Sequence, residues 1–171
     1  MRLLSFDPSG NWGEIEGFGT SGWALFEDEK LADFGVIKAK DFDCIEEYWW
    51  EHQKLIQQLR PDICLIESYK LFEHKAKSQS WSAMETPQLI GAMMLYCYQW
   101  DIPVIFQDPQ QKQGVNDERL VKLGYLEKKG KKYYCLGRST VLHSRDAIRH
   151  GIFYYRYGKG KQSETTVNEG L

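Results

Sequence analysis

The sequence predicts an α/β protein with a five-stranded mixed sheet flanked by helices. Three observations lead there. Short apolar runs of strand length recur along the chain, each bounded by turn or charge signals. The first connections between them carry Gly/Ser or turn signals and no helical pattern, which makes the opening an antiparallel meander. The later connections carry helical patterns, and strands joined through a helical crossover lie parallel. The 171 residues suffice for one domain with a sizeable core, and 42% hydrophobic with 27% charged residues is ordinary for a soluble globular chain.

The elements follow in order. Residues 2–7, Arg2-Leu3-Leu4-Ser5-Phe6-Asp7, are the first strand, an apolar run that stops on a carboxylate. Residues 8–22 are rich in Gly and Ser and read as a long hairpin loop. Residues 22–26 and 31–38 are the second and third strands. Asp43 is the expected N-cap of a helix over about 44–59, with Glu46 three residues on as its capping-box partner. Pro61 closes that crossover, and residues 62–67 form the fourth strand, which ends on Glu67. A polar, basic stretch over 68–80 interleaves Lys70, Lys75 and Lys77 with Tyr69, Phe72 and His74, and reads as a loop over the sheet edge. A helical pattern spans about 82–100, and Pro87 puts its true start near Thr86. Residues 102–106 are the fifth strand, and Asn116 or Asp117 opens a short helix to Leu123. Residues 125–140 form a basic hairpin, wing or loop, and residues 141–157 the last helix. One domain over 1–157 results, with a basic segment at about 125–140 and a flexible tail over 158–171.

The strand ends carry the first functional signal. Burying an ionised carboxylate in a core is costly, so Asp7 and Glu67 belong at the mouth of the sheet. If their strands are parallel, both lie on one edge, where open α/β sheets keep their ligand sites. The last helix begins His143-Ser144-Arg145-Asp146. Read alone, Asp146 complements the helix dipole and His143 is a surface or packed histidine. Together with Asp7 and Glu67 they suggest a metal site, with His143 and Asp146 paired at i, i+3. Hard divalent cations take carboxylate oxygens, and two of them about 4 Å apart can activate a water and stabilise the leaving oxygen of a phosphodiester. In that role Asp7 bridges the metals, Glu67 holds one and Asp146 the other, and His143 binds metal or handles the proton.

Charge supplies a second signal. The net charge of −2 looks wrong for a nucleic-acid binder, but residues 1–118 carry 10 Lys+Arg against 20 Asp+Glu, whereas residues 119–161 carry 12 against 2. A strongly basic segment, with Lys128, Lys129, Lys131 and Lys132 at its centre, is a phosphate-binding surface or a solvated face. Cys44, Cys64, Cys97 and Cys135 form no Cys-x-x-Cys pair, which argues against zinc and for reduced thiols. With no signal peptide and no apolar run near the ~20 residues of a membrane span, a cytoplasmic protein is expected.

An acidic first strand and an acidic fourth strand in this order resemble the ribonuclease H-like fold. Phe6-Asp7-Pro8-Ser9, Thr20-Ser21-Gly22-Trp23-Ala24, Arg60-Pro61-Asp62 with Glu67, and His143-Ser144-Arg145-Asp146-Ala147 resemble the motifs of the RuvC family of Holliday-junction resolvases, in family order and across nearly the whole chain. The chain looks closest to the divergent members carried by bacteriophages, which would place it in the host-cell cytoplasm. The family's four metal-site positions fall on Asp7, Glu67, His143 and Asp146. The family varies between Asp and His at the position matching His143.

The resemblance implies a homodimer that nicks two opposed strands of a four-way DNA junction with Mg²⁺, or Mn²⁺ as substitute, two ions per site. It implies a stacking aromatic shortly after Glu67, either Tyr69 or Phe72, and phosphate contacts near Lys112 and Arg119. Lys75 and Lys77 join these as DNA-binding candidates. The 125–140 segment departs from the cellular family and points to broader branched-DNA cleavage, including Y-forks, because backbone contacts do not read sequence. The competing readings are another ribonuclease H-like nuclease, of terminase type or specific for RNA–DNA hybrids, and a non-catalytic junction-binding module. A sugar kinase or actin-like ATPase would need a second large lobe.

Overall fold

The computed structural model describes residues 1–13, 17–70 and 84–158. Strands β1 (Arg2–Asp7), β2 (Thr20–Glu27), β3 (Lys30–Lys38), β4 (Ile63–Glu67) and β5 (Val104–Gln107) form one sheet in the order β3-β2-β1-β4-β5. The β1/β2 and β2/β3 pairs are antiparallel, and β1/β4 and β4/β5 are parallel. This is the mixed, five-stranded α/β sheet that the connection types predict.

Helices α1 (Ile45–Leu59) and α2 (Glu85–Gln99) cover one face of the sheet. Helix α1 buries Tyr48, His52 and Ile56, a stripe at four-residue spacing. Helix α2 buries Leu89, Ile90, Met93, Tyr96 and Cys97. They meet Leu4 and Phe6 of β1 and Cys64 and Ile66 of β4. A short helix α3 (Asp117–Lys122) and the last helix α4 (Leu142–Phe153) serve the other face. There Leu3, Ala24, Phe26 and Leu65 pack on Ala147, Ile148 and Ile152. The alternation of a strand thus divides β1 between two cores. Ser5, fully buried on the α4 side, donates its hydroxyl to the Ala147 carbonyl at 2.5 Å. That bond ties the central strand to the helix that carries His143 and Asp146.

Of the hairpin, wing and loop expected over 125–140, the structure shows the hairpin form. Its strands β6 (Glu127–Lys129), β7 (Lys132–Cys135) and β8 (Arg138–Ser139) make a small antiparallel sheet. Leu136 and Gly137, between β7 and β8, both have positive φ, the backbone that a tight two-residue hairpin turn demands. Helix α4 passes into one π-helical turn over Tyr154–Gly158, and the expected tail over 158–171 lies, past Gly158, outside the described residues.

The helix starts differ from expectation. Cys44, not Asp43, is the N-cap of α1, and its side chain makes no cap bond. Glu47 accepts from the Asp43 amide at 3.3 Å, the role expected of Glu46 shifted by one residue. Helix α2 begins at Glu85, so Pro87 is the third helical residue, where its missing N–H is still one of the four amides without an intrahelical partner. This earlier start frees Glu85 and Thr86 to accept from the Trp12 and Gly10 amides at 2.5 and 2.9 Å, which fastens the loop after β1. Ser144 stands three residues into α4 from its N-cap Val141 and accepts that residue's amide at 3.1 Å.

Candidate active site

Asp7 and Glu67 end adjacent parallel strands at the same level, since Phe6 pairs with Ile66. Gln107 stands beside Glu67 on β5. The third carboxylate arrives from α4, and the sequence arranges its close approach through a glycine. Gly22 of β2 lies opposite Asp7 in the ladder. A Cβ there would sit 2.0 Å from the His143 carbonyl oxygen, so only a bare backbone lets the start of α4 come this near. Four site residues predicted from sequence, Asp7, Glu67, His143 and Asp146, are thereby brought to one edge of the sheet.

A lysine ties them together. Lys112 lies on the 3₁₀ turn Gln111–Gly114 that follows β5. Its Nζ is 2.6 Å from Glu67 Oε2, 2.8 Å from Asp146 Oδ2 and 3.6 Å from Asp7 Oδ1. Burial pulls the Lys112 ammonium's pKa down, but the attraction of Asp7, Asp146 and Glu67 outweighs it and holds the pKa well above the usual lysine range. Burial likewise raises the Glu67 carboxyl, and hydrogen bonds from His150 and Lys112 outweigh this and lower it. His143 Nδ1 lies 2.7 Å from Asp7 Oδ2, and that contact raises the imidazole above its ordinary value against the opposing effect of burial.

His150, Arg149 and Asp117 carry no motif. His150, fully buried, places Nε2 2.5 Å from Glu67 Oε2 and Nδ1 2.7 Å from Gln107 Oε1. Its signal in the sequence is spacing: His143, Asp146 and His150 fall at i, i+3 and i+7 on one helix face. Arg149 bonds Asp146 at 2.5 Å and Asp117 at 2.6 Å, and Arg145 reaches both oxygens of Asp117 at 3.1 Å. Asp117 thus links α3 to α4, in addition to lying in the first turn of its own helix.

The DNA-binding candidates divide. Lys112 faces the carboxylates. Tyr69 is half-buried against the α1/α2 core and lines a cleft of about 170 Å³ beside Glu67, with Pro8, Thr86, Ile90 and Pro109. Arg119 is exposed and donates to the Tyr157 hydroxyl at 3.2 Å. Lys128, Lys129, Lys131 and Lys132 are all exposed on the small sheet, and the Lys128 and Lys129 ammonium groups lie over the rings of Tyr133 and Tyr134. Phe72, Lys75 and Lys77 lie outside the described residues.

The carboxylates are hard oxygen donors of the kind Mg²⁺ and Mn²⁺ take, and they already converge on one cation, the ammonium of Lys112. Among the described residues, no three His, Cys, Asp or Glu side chains are grouped to hold a metal as they stand. The donor chemistry fits a divalent cation, on ground that Lys112 holds.

Sheet order, crossovers and the flanking helices make this an α/β protein of ribonuclease H-like architecture. Among solved structures, the fold is that of the RuvC resolvases. T. thermophilus RuvC in complex with Holliday junction substrate superposes with a TM-score of 0.63 at 18% identity, over 93% of this chain and 97% of that one. A second Thermus thermophilus RuvC structure gives 0.62 at 16% identity, over 92% and 97%. No protein-family model and no curated protein matches the sequence. Among the described residues, no helix is long and apolar enough to cross a membrane.

Proposed function

We propose that this chain is a metal-dependent, structure-selective DNA endonuclease that nicks opposed strands of Holliday junctions and of other branched DNA. The observation that carries the reading is the convergence of Asp7, Glu67 and Asp146 on a single cation at the sheet edge, in a fold shared with a RuvC solved on junction DNA. Divalent cations bound there supply an activated water and stabilise the leaving oxygen of the phosphodiester. Asp7, Glu67 and Asp146 provide the oxygen ligands, and Mg²⁺ or Mn²⁺ suits that donor set. His143, hydrogen-bonded to Asp7 and partly open to solvent, binds metal or accepts the proton of the attacking water. His150 and Arg149 fix the orientation of Glu67 and Asp146, and so act as positioning residues.

The exposed lysines of the β6–β8 sheet contact phosphate and hold a duplex arm without reading its sequence. Tyr69 or Phe72 stacks near the junction centre. Paired nicking needs two sites, and a homodimer supplies them. Met94, Leu95 and Tyr98 of α2 and Trp50 of α1 leave an apolar surface for that contact, whereas Met93 and Tyr96 are spent on the core.

The deciding experiment is cleavage of a labelled, immobile four-way junction beside a linear duplex and a Y-fork, with Mg²⁺, with Mn²⁺ and with chelator. Paired, metal-dependent nicks near the branch point are expected. One observation favours a non-catalytic junction-binding module: the carboxylates are already paired with Lys112. Junction binding without scission under either metal would establish that reading.

A further inference from the structure

We propose that Lys112 is a built-in competitor for the metal site, an intramolecular cation that must leave the carboxylates before a divalent ion can bind them. The inference rests on the reading of Asp7, Glu67 and Asp146 as the metal ligands. Its geometry is simple. One Nζ spans all three carboxylates, at 2.6, 2.8 and 3.6 Å. Mg²⁺ lies about 2.0–2.1 Å from its oxygen ligands. An ion sharing Glu67 and Asp146 would therefore stand within contact distance of the ammonium, and two cations that close repel strongly in a partly buried site.

The anchoring of Lys112 favours exchange of the ammonium over rearrangement of the backbone. Its carbonyl accepts the Val115 amide at 3.0 Å, and Val115 is fully buried, so the turn is held from below. The side chain is a flexible four-carbon stem that can carry its charge out of the cluster by bond rotation alone. Among the described residues, Lys112 is the one lysine paired with these carboxylates, and the Arg149 guanidinium is committed to Asp117 as well as Asp146. The carboxylates themselves are held by groups that do not depend on Lys112, namely His143 on Asp7, His150 on Glu67 and Arg149 on Asp146. Departure of the ammonium thus uncovers a ligand set still in place. The device works as a brake. The free protein takes up metal weakly, and any anion that draws the ammonium away, a phosphate of bound DNA above all, releases it.

The test is Mn²⁺ binding to the full chain without DNA, read from the EPR signal of the free ion. Lys112→Met is expected to bind Mn²⁺ about tenfold more tightly than wild type, the worth of one partly buried ion pair. Lys112→Arg, which keeps a cation, is expected to stay near wild type. Equal or weaker Mn²⁺ binding by Lys112→Met, with its melting temperature showing a folded protein, would overturn the proposal. A second readout uses wild type alone. Labelling by an amine-reactive reagent, followed residue by residue by mass spectrometry, should reach Lys112 faster at saturating Mn²⁺ than in chelator, and labelling that slows or is unchanged would also overturn it. Asp146→Asn separates the two levels of the argument. If wild type, Lys112→Met and Asp146→Asn all show the same weak, unsaturable Mn²⁺ uptake, the carboxylates are not a metal site and the reading beneath the proposal falls first.

Discussion

Gly22→Ala is the substitution whose consequences can be worked furthest from the structure. The new methyl would lie 2.0 Å from the His143 carbonyl oxygen and 2.7 Å from the Ser144 amide nitrogen, where real Cβ atoms essentially never come within 3.0 Å of such neighbours. Both obstacles are backbone, so no side chain can swing aside. Strand β2 is inside the sheet, paired with β1 and β3, and cannot retreat. The start of α4 must move instead, by about 1 Å. Overpacking of this kind costs about 1–3 kcal/mol. For a chain of this size each kcal/mol is worth about 2–4 °C in melting temperature, so a fall of several degrees is expected. The larger effect falls on chemistry, because the residues that move carry His143 and, one turn on, Asp146. A misplacement of about 1 Å can cost ~100-fold in rate. Urea unfolding and single-turnover cleavage of a four-way junction would read the two effects side by side. Wild-type stability together with wild-type cleavage would refute the claim that this glycine sets the approach of α4 to Asp7.

Other substitutions probe the same geometry. Glu67→Gln and Asp146→Asn are each expected to abolish cleavage while leaving a folded protein that still binds junction DNA; collapse of the melting temperature would assign the carboxylates to folding instead. Because Asp7 raises the His143 pKa in the folded state, the stability this pair contributes is fully present below the unfolded value of about 6.5 and is lost as pH rises through the higher folded one. Denaturant titrations in chelator should therefore show wild type and His143→Asn differing most on the acid side and converging as pH increases; a gap that widens with pH would contradict the pairing. Changing Lys128, Lys129, Lys131 and Lys132 to Gln should weaken junction binding and reduce its log–log salt slope by about 0.9 for each phosphate no longer neutralised. An unchanged slope would remove the small sheet from the DNA interface.

Much of the scaffold was readable because the signals are local. Apolar runs ending at Asp7 and Glu67, with a helical crossover between them, require two neighbouring parallel strands, and the ladder places the two carboxylates side by side. Asp146 and His143 entered by their i, i+3 pairing at the start of the last helix and by the family resemblance of that motif. What stayed hidden depends on packing across elements. The resemblance marked Lys112 as a phosphate contact, and nothing in its neighbours announces that the turn after β5 aims it at three carboxylates. His150 sits mid-helix among apolar residues, and its two bonds form only because Glu67 and Gln107 end adjacent strands. For the 125–140 segment the composition left hairpin, wing and loop open. Strands of two to four residues, two of them polar and exposed, are too short to show the apolar alternation that marks a strand, and here the pairing is set by turns at Gly130 and Gly137.

The bond between His143 and Asp7 joins residues 136 positions apart in the chain. Asp7 lies on β1 and Asp146 on α4, with the other strands of the main sheet between them in the chain. Contacts of such long sequence separation form late and slowly. During synthesis, the opening strands can pair and the first carboxylate can reach its place while the cluster remains incomplete. A chain cut short before α4 would carry Asp7 and Glu67 but neither His143 nor Asp146. Topology therefore sets the order of assembly: the cluster of Asp7, Glu67, His143 and Asp146 is completed by the docking of one helix, and a partly made or partly unfolded chain lacks it.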